Sequence, residues 1–245
     1  ALHMVEGHVL VLGGVENGVV CEDVLQCNLG GFQVDFDGED DEVMLPHSAS
    51  QLPSAYTIEA YIRPGKVGAN MNVIARSNKS YPTQVWSHQI RINDRNKIQH
   101  VTMLASGEQK VVESNTTVRA GEWYHVAASA ESEKFMHLII NGKDECTNML
   151  NGQLQGDLDR FFVASRTGDA MGMFKGVISE LRVWNECKDD REIKPLMKHQ
   201  LEGTEAGLVG YWPLNDGPGG SVFDLLPSSK NHGLLKGNPT WDAAS

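Results

Sequence analysis

The chain has 245 residues, with 21 Lys and Arg against 32 Asp and Glu and a formal charge of −11, an excess that repels nucleic acid and polyanionic glycosaminoglycans. No stretch approaches the roughly 20 apolar residues needed to cross a bilayer as a helix, so no membrane insertion is expected. Cys21, Cys27, Cys146 and Cys187 are too few for a stapled scaffold; reduced, buried thiols are the expected state, and a chain this long can bury a core without disulfides or a metal.

Residues 1–31 read as an N-terminal extension. The start has no basic segment followed by an apolar core and cleavage site, as in a processed secretory protein or a fragment of a larger one. His8 to Leu12 and Val19-Val20 are strand-like around Gly13-Gly14, carry too little apolar surface to fold alone, and are expected to pack on the remainder, residues 32–245, as extra strands.

From Phe32 onward apolar residues recur at period two, the pattern of half-buried strands. Phe32, Val34 and Phe36 alternate with Gln33, Asp35 and Asp37, and Ile58, Ala60 and Ile62 with Thr57, Glu59 and Tyr61 until Pro64. Val73-Ile74-Ala75 is a short strand. Gln89 to Ile92 and Ile98 to Leu104 pair across Asn93-Asp94-Arg95-Asn96, which is strong turn chemistry. Trp123 to Ala128 and Phe135 to Ile140 pair across Glu131-Ser132-Glu133, and Asn141-Gly142 supplies the positive φ of a tight hairpin. Phe161 to Ala164, Val177 to Trp184 and Leu208 to Leu214 complete the set. In Val177 to Trp184, Ile178 is out of phase with Leu181 and Val183, and a bulge near Ser179 would repair the register. Only Asp189 to Gln200 reads as a helix, capped at Asp189 or Asp190 and limited by Pro195. Many short strands with one helix give an all-β, two-sheet antiparallel sandwich.

The ordered motifs Phe36-Asp37-Gly38-Glu39-Asp40-Asp41, Tyr56 to Pro64, Gly121-Glu122-Trp123-Tyr124-His125-Val126-Ala127, Ile140-Asn141-Gly142, Gly176 to Asn185, Leu208 to Asn215 and Pro239-Thr240-Trp241 resemble the laminin-G-like, concanavalin A-like jelly rolls from about Phe32 to Trp241. The resemblance implies two curved sheets packed face to face, with Trp123, Trp184 and Trp212 filling the space between them. Relatives of this fold serve as lectins, adhesion modules, partner-binding domains and glycosidases, so the site must be argued separately.

A retaining glycosidase needs two carboxyl groups about 5 Å apart. Glu39-Asp40-Asp41-Glu42 and Glu131-Ser132-Glu133 offer such spacings, but the first has no flanking aromatic platform and the second lies in a turn, so no catalytic residues are assigned. The chain has no G-x-S-x-G or H-E-x-x-H motif. His125 and His137 are candidate cross-strand neighbours without a third zinc ligand in view.

Calcium takes several hard oxygens. In many similar jelly rolls the first and last strands hold a structural calcium between them, and that resemblance carries Asp37, Asp41 and Asp242 over as candidate ligands. The pentraxin-type pair of calcium ions is not expected, because Arg166 and Thr167 stand where acidic or amide ligands belong and Lys79 would repel the cation. The loop from Ser77 to His88 is long and aromatic, and Trp86, Tyr81 and His88, with Asn78 or Gln84 as hydrogen-bonding partners, are the candidate ligand-binding residues. The expected function is a non-catalytic module that binds a glycan or glycoprotein, stabilised by calcium and part of a larger protein. A protein-interaction or adhesion domain is the alternative, and a glycosidase comes third. Similar domains are mostly extracellular or at the cell surface, and Asn78-Lys79-Ser80 and Asn115-Thr116-Thr117 are sequons; an intracellular place in a large multidomain protein is the other option.

Overall fold

The computed structural model describes backbone and side chains over residues 32–46, 54–77, 87–156, 161–165, 172–227 and 229–241, and backbone alone for 86, 160, 242–243 and the strands within residues 2–28. Those early strands pair among themselves, Leu2–Val5, His8–Val11 and Leu25–Asn28 as one sheet and Val15–Glu16 with Val19–Val20 as another. Cys21 lies outside the described residues.

Two large sheets follow. The nine-stranded sheet runs Gln109–Thr117, Lys97–Met103, Trp86–Ile92, Met71–Ser77, Arg160–Val163, Glu42–Met44, Gly233–Lys236 and Ser221–Val222, with Gly172–Met173 added parallel to Met71–Ser77. The eight-stranded sheet runs Lys143–Met149, Phe135–Ile140, Tyr124–Glu131, Ala55–Pro64, Lys175–Trp184, Phe32–Asp37 and Thr240–Ala243, and Leu208–Trp212 pairs with Lys175–Trp184. All their other pairings are antiparallel. Inward residues from both sheets, such as Phe36, Ile62, Ile74, Ile92, Phe161 and Leu138, form one continuous apolar core.

Local chemistry sets the register. Asn141 and Gly142 both take positive φ, 51° and 71°, which matches the twist of a two-residue hairpin. Along Lys175–Trp184, Ser179 faces Tyr61 but Arg182 faces Glu59, so one extra residue bulges where Glu180 takes φ 54°. That bulge turns Ile178, Leu181 and Val183 all inward. The helix spans Asp190–Leu196 and opens with a capping box, in which Asp189 accepts from Glu192 N–H and Glu192 accepts from Asp189 N–H.

The three tryptophans have three different fates. Only Trp212 lies between the sheets, fully buried, its Nε1 donating to Asn231 O at 2.9 Å. Trp184 is buried on the opposite face of its sheet, with Leu201, Leu208 and Tyr211, because Val183 beside it points inward. Trp123 is 38% exposed, since Tyr124 is the inward residue there, and the Arg63 guanidinium stacks 5.3 Å above its ring. The expectation that all three fill the inter-sheet space therefore holds for Trp212 alone. His125 and His137 are not neighbours either: the Ser132–Lys134 turn sets His137 opposite Ser129, while His125 faces Tyr61.

Helix and sheet close one outer face of the sandwich. Arg182, 1% exposed, donates to Leu196 O at 3.0 Å and His199 O at 2.7 Å, satisfying carbonyls at the helix end, and Tyr61 donates to Met197 O. Ile193 packs on Ala127 and Ile139 of the eight-stranded sheet. Among the described residues no helix covers the outer face of the nine-stranded sheet.

Candidate functional site

At one end of the sandwich, the acidic turn after Phe32–Asp37 is built by its own backbone. Asp37 Oδ1 accepts from the N–H groups of Glu39 at 2.7 Å and Asp40 at 3.4 Å, and Asp41 Oδ2 accepts from Asp37 N–H at 2.9 Å. The other oxygen of Asp41 accepts from Asn238 N–H at 2.8 Å, tying the turn to the chain that precedes the last strand. Gly38 has φ 78°, and a Cβ there would stand 2.9 Å from that of Lys175, so this position needs glycine. The Glu39 N–H holds the Asp37 carboxyl below its usual range, whereas burial pushes that of Asp41 up.

Candidate ligand oxygens of Asp37, Asp40 and Asp41 lie within 4.8 Å of one another. Three carboxylates fit a hard cation in donor type, and a calcium ion would need three or more further oxygens from carbonyls or water. The Asp242 backbone pairs with Gln33, four residues before Asp37 along the first strand, and its side chain lies outside the described residues.

Beside this turn lies a cleft of about 310 Å³ between the two sheets, lined by Asp37, Glu39, Lys66, Asn70, Met173 and Lys175 among others. Its lining combines Ala69, Met71 and Met173 with two acids, an amide and two ammonium groups.

Of the loop residues expected to bind, Asn78, Tyr81 and Gln84 lie outside the described residues, as does the Trp86 side chain; the Trp86 backbone pairs with Ser77. His88 is turned inward and 2% exposed, bonded to Thr102 Oγ1 at 2.9 Å with its ring 4.1 Å from that of Tyr56. Its ring packs in the interior and is out of reach of a ligand on the outer face.

The outer face of the nine-stranded sheet carries a row that sequence reasoning missed. Arg91 faces Gln99 and Gln99 faces Glu113 across three strands. Arg91 Nε donates to Gln99 Oε1 at 2.7 Å, and Gln99 Nε2 donates to Glu113 Oε2 at 2.7 Å. Asn93 and Arg95 also donate to Glu113, each at 2.8 Å. On the other side Arg91 faces Asn72, whose amide donates to Ser165 O at 2.9 Å. The signal was the Asn93–Asn96 turn, which fixes Ile92 opposite Ile98 and therefore Arg91 opposite Gln99.

Three of the carboxylates considered for hydrolysis have structural partners. Asp41 is bonded at both oxygens, Glu42 accepts from Ser165 Oγ and lies 3.6 Å from Lys236 Nζ, and Glu131 pairs with Lys134.

Solved structures of similar fold are distant in sequence. A protein of Bacteroides ovatus described as carbohydrate-binding has a TM-score of 0.67 at 17% identity, with 87% of this chain and 60% of that one covered. A heptameric pentraxin of Limulus polyphemus gives 0.57 at 11% identity, over 88% and 96%. The CBM40 of a Ruminococcus gnavus sialidase, bound to α2,3-sialyllactose, gives 0.53 at 15% identity, over 67% and 95%. These are likenesses of fold. No curated protein matches the chain. A family model does, over residues 37–194, and by that match the chain belongs to the concanavalin A-like lectin/glucanases superfamily.

Proposed function

We propose that the chain is a non-catalytic carbohydrate-binding module of a larger extracellular or cell-surface protein, its acidic turn stabilised by calcium. The observation that carries this reading is the end cleft, lined by acids, an amide and two lysines beside Ala69, Met71 and Met173, in a fold whose neighbours include carbohydrate-binding proteins. The commitment of Asp41, Glu42 and Glu131 to structural partners supports a binding role over hydrolysis. A glycan array probed with and without calcium, beside a reducing-sugar release assay on the bound glycans, tests it. Glycan binding without release is expected; release, or no binding in either condition, would overturn it.

A protein partner is the second reading. It is favoured by Phe135 and Met149, a cross-strand pair 45% and 59% exposed on the outer face of the eight-stranded sheet.

A further inference from the structure

We propose that Arg91 is the recognition residue for a carboxylate-bearing sugar on the outer face of the nine-stranded sheet. The proposal rests on the carbohydrate-binding reading and adds to it a site and a ligand class.

The geometry of the guanidinium carries the argument. Arg91 is half-buried, and its Nε is used by Gln99 Oε1. Gln99 is in turn fixed by Glu113, so the plane of the guanidinium is set by two hydrogen bonds in series. Its two terminal nitrogens have no hydrogen-bond or ion-pair partner among the described residues. A guanidinium held on one edge and open on the other presents two parallel N–H groups, the geometry that a carboxylate accepts in bidentate fashion. Burial already weakens the hold of this group on its proton, so its charge is partly stripped of water and gains more from an anion than a fully solvated arginine would.

The surroundings favour a sugar acid over a simple anion. Glu113, two strands away in the same row, takes all three of its donors on Oε2, and its Oε1 has no partner among the described residues. A hydroxyl of the same sugar donates to that oxygen, a contact that a simple anion lacks. Glu113 is the nearest acid in the row and would repel a carboxylate, but it already accepts from Gln99, Asn93 and Arg95. The fixed cation also stands out on a chain of charge −11, which would otherwise turn acidic ligands away.

Calorimetric titration with glucuronic acid, N-acetylneuraminic acid, their methyl esters and glucose tests the inference. The expected result is binding of one or both free acids, at least tenfold weaker binding of the matching ester, and at least tenfold weaker binding of the acid by Arg91→Lys, which keeps the charge and loses the fork. The ester comparison uses the unaltered protein and so does not depend on how the variant folds. Equal affinity for acid and ester, or undiminished binding by a folded Arg91→Lys variant, would overturn the inference. Binding of glucose or array glycans without any preference for acids would overturn it while leaving the carbohydrate-binding reading intact; silence toward every glycan would overturn both.

Discussion

Glu59 Oε2 lies 2.9 Å from His125 Nε2, and both side chains are at most 1% exposed. The other oxygen of Glu59 accepts from Trp184 Nε1 at 2.9 Å and stands 3.7 Å from Arg182. Arg182 also pairs with Glu180, which accepts from the Tyr211 hydroxyl at 2.7 Å. These groups lie on the outer face of the eight-stranded sheet, under the helix and the segment that follows it. One carboxylate therefore joins two strands to the helix-bearing cover. Removing one partner of a buried charge cluster leaves the others unpaired, which typically costs about 3–5 kcal/mol. Glu59→Gln is expected to destabilise by that order in urea unfolding.

The same pair predicts an acid response. Burial alone would raise the pKa of Glu59, but the His125 bond, the Arg182 charge and the Trp184 N–H outweigh it and hold the carboxyl below its ordinary 4.5. A carboxylate depressed in the folded state contributes its full stabilisation above pH 4.5 and loses it as pH falls from there through the folded value. Glu59→Gln should therefore show a shallower loss of stability than the parent below pH 4.5, read from urea midpoints across that range. Parallel curves for the two proteins would contradict the assignment.

His100 governs a separate window. Its Nδ1 lies 2.9 Å from the carbonyl of His137, so Nδ1 carries the proton and Nε2 accepts from the Tyr56 hydroxyl at 2.8 Å. Burial pushes its pKa down to about 4. A neutral histidine of this kind stabilises fully above pH 6.5 and loses that contribution as pH falls toward 4, a span of about 3 kcal/mol. His88 is also pushed down by burial and by the charge of Arg76, so His100→Gln should flatten the stability profile between pH 6.5 and 4 without abolishing its slope.

Tryptophan placement is open to direct measurement. Trp123→Ala should cost no more than about 1 kcal/mol, the worth of an exposed cation–π contact, and should remove most of the acrylamide-quenchable fluorescence contributed by the described tryptophans. Trp212→Ala opens the core and should cost about 3–5 kcal/mol.

Sequence periodicity carried the fold further than the site. The two-residue alternation, Asn141-Gly142, the misfit of Ile178 and the cap at Asp189 are local signals, and each reads directly as a strand, a hairpin, a bulge or a helix start. Sheet order is not local: Ala55–Pro64 lies between Tyr124–Glu131 and Lys175–Trp184, so the Glu59–Arg182 cluster joins residues more than 120 positions apart. Gln109–Thr117 was missed because its outward positions are polar or charged and its apolar content is low. The Arg91 row escaped for a related reason. Alternating polar residues on a strand look like any solvated face until hairpin register shows which of them meet. Strand phase misplaced Trp123, since a one-residue shift at a strand end moves a side chain from core to surface.

The acidic turn separates a structural role from an ionic one. Asp41 ties the backbone N–H of Asp37 to that of Asn238, and Asp41→Ala leaves both donors without their partner, an expected loss of about 1–3 kcal/mol with or without calcium. Asp40 accepts no backbone bond among the described hydrogen bonds of the turn, yet its carboxylate is within 4.8 Å of the other two. Asp40→Asn should therefore leave calcium-free stability nearly unchanged while reducing any rise in melting temperature that calcium gives the parent protein. Calorimetric scans of the parent, Asp40→Asn and Asp41→Ala in chelator and in calcium check this. A calcium-induced rise of equal size in the parent and Asp40→Asn would place the ion elsewhere, and no rise in the parent would leave the turn as a hydrogen-bonded clip held by Asp41 alone.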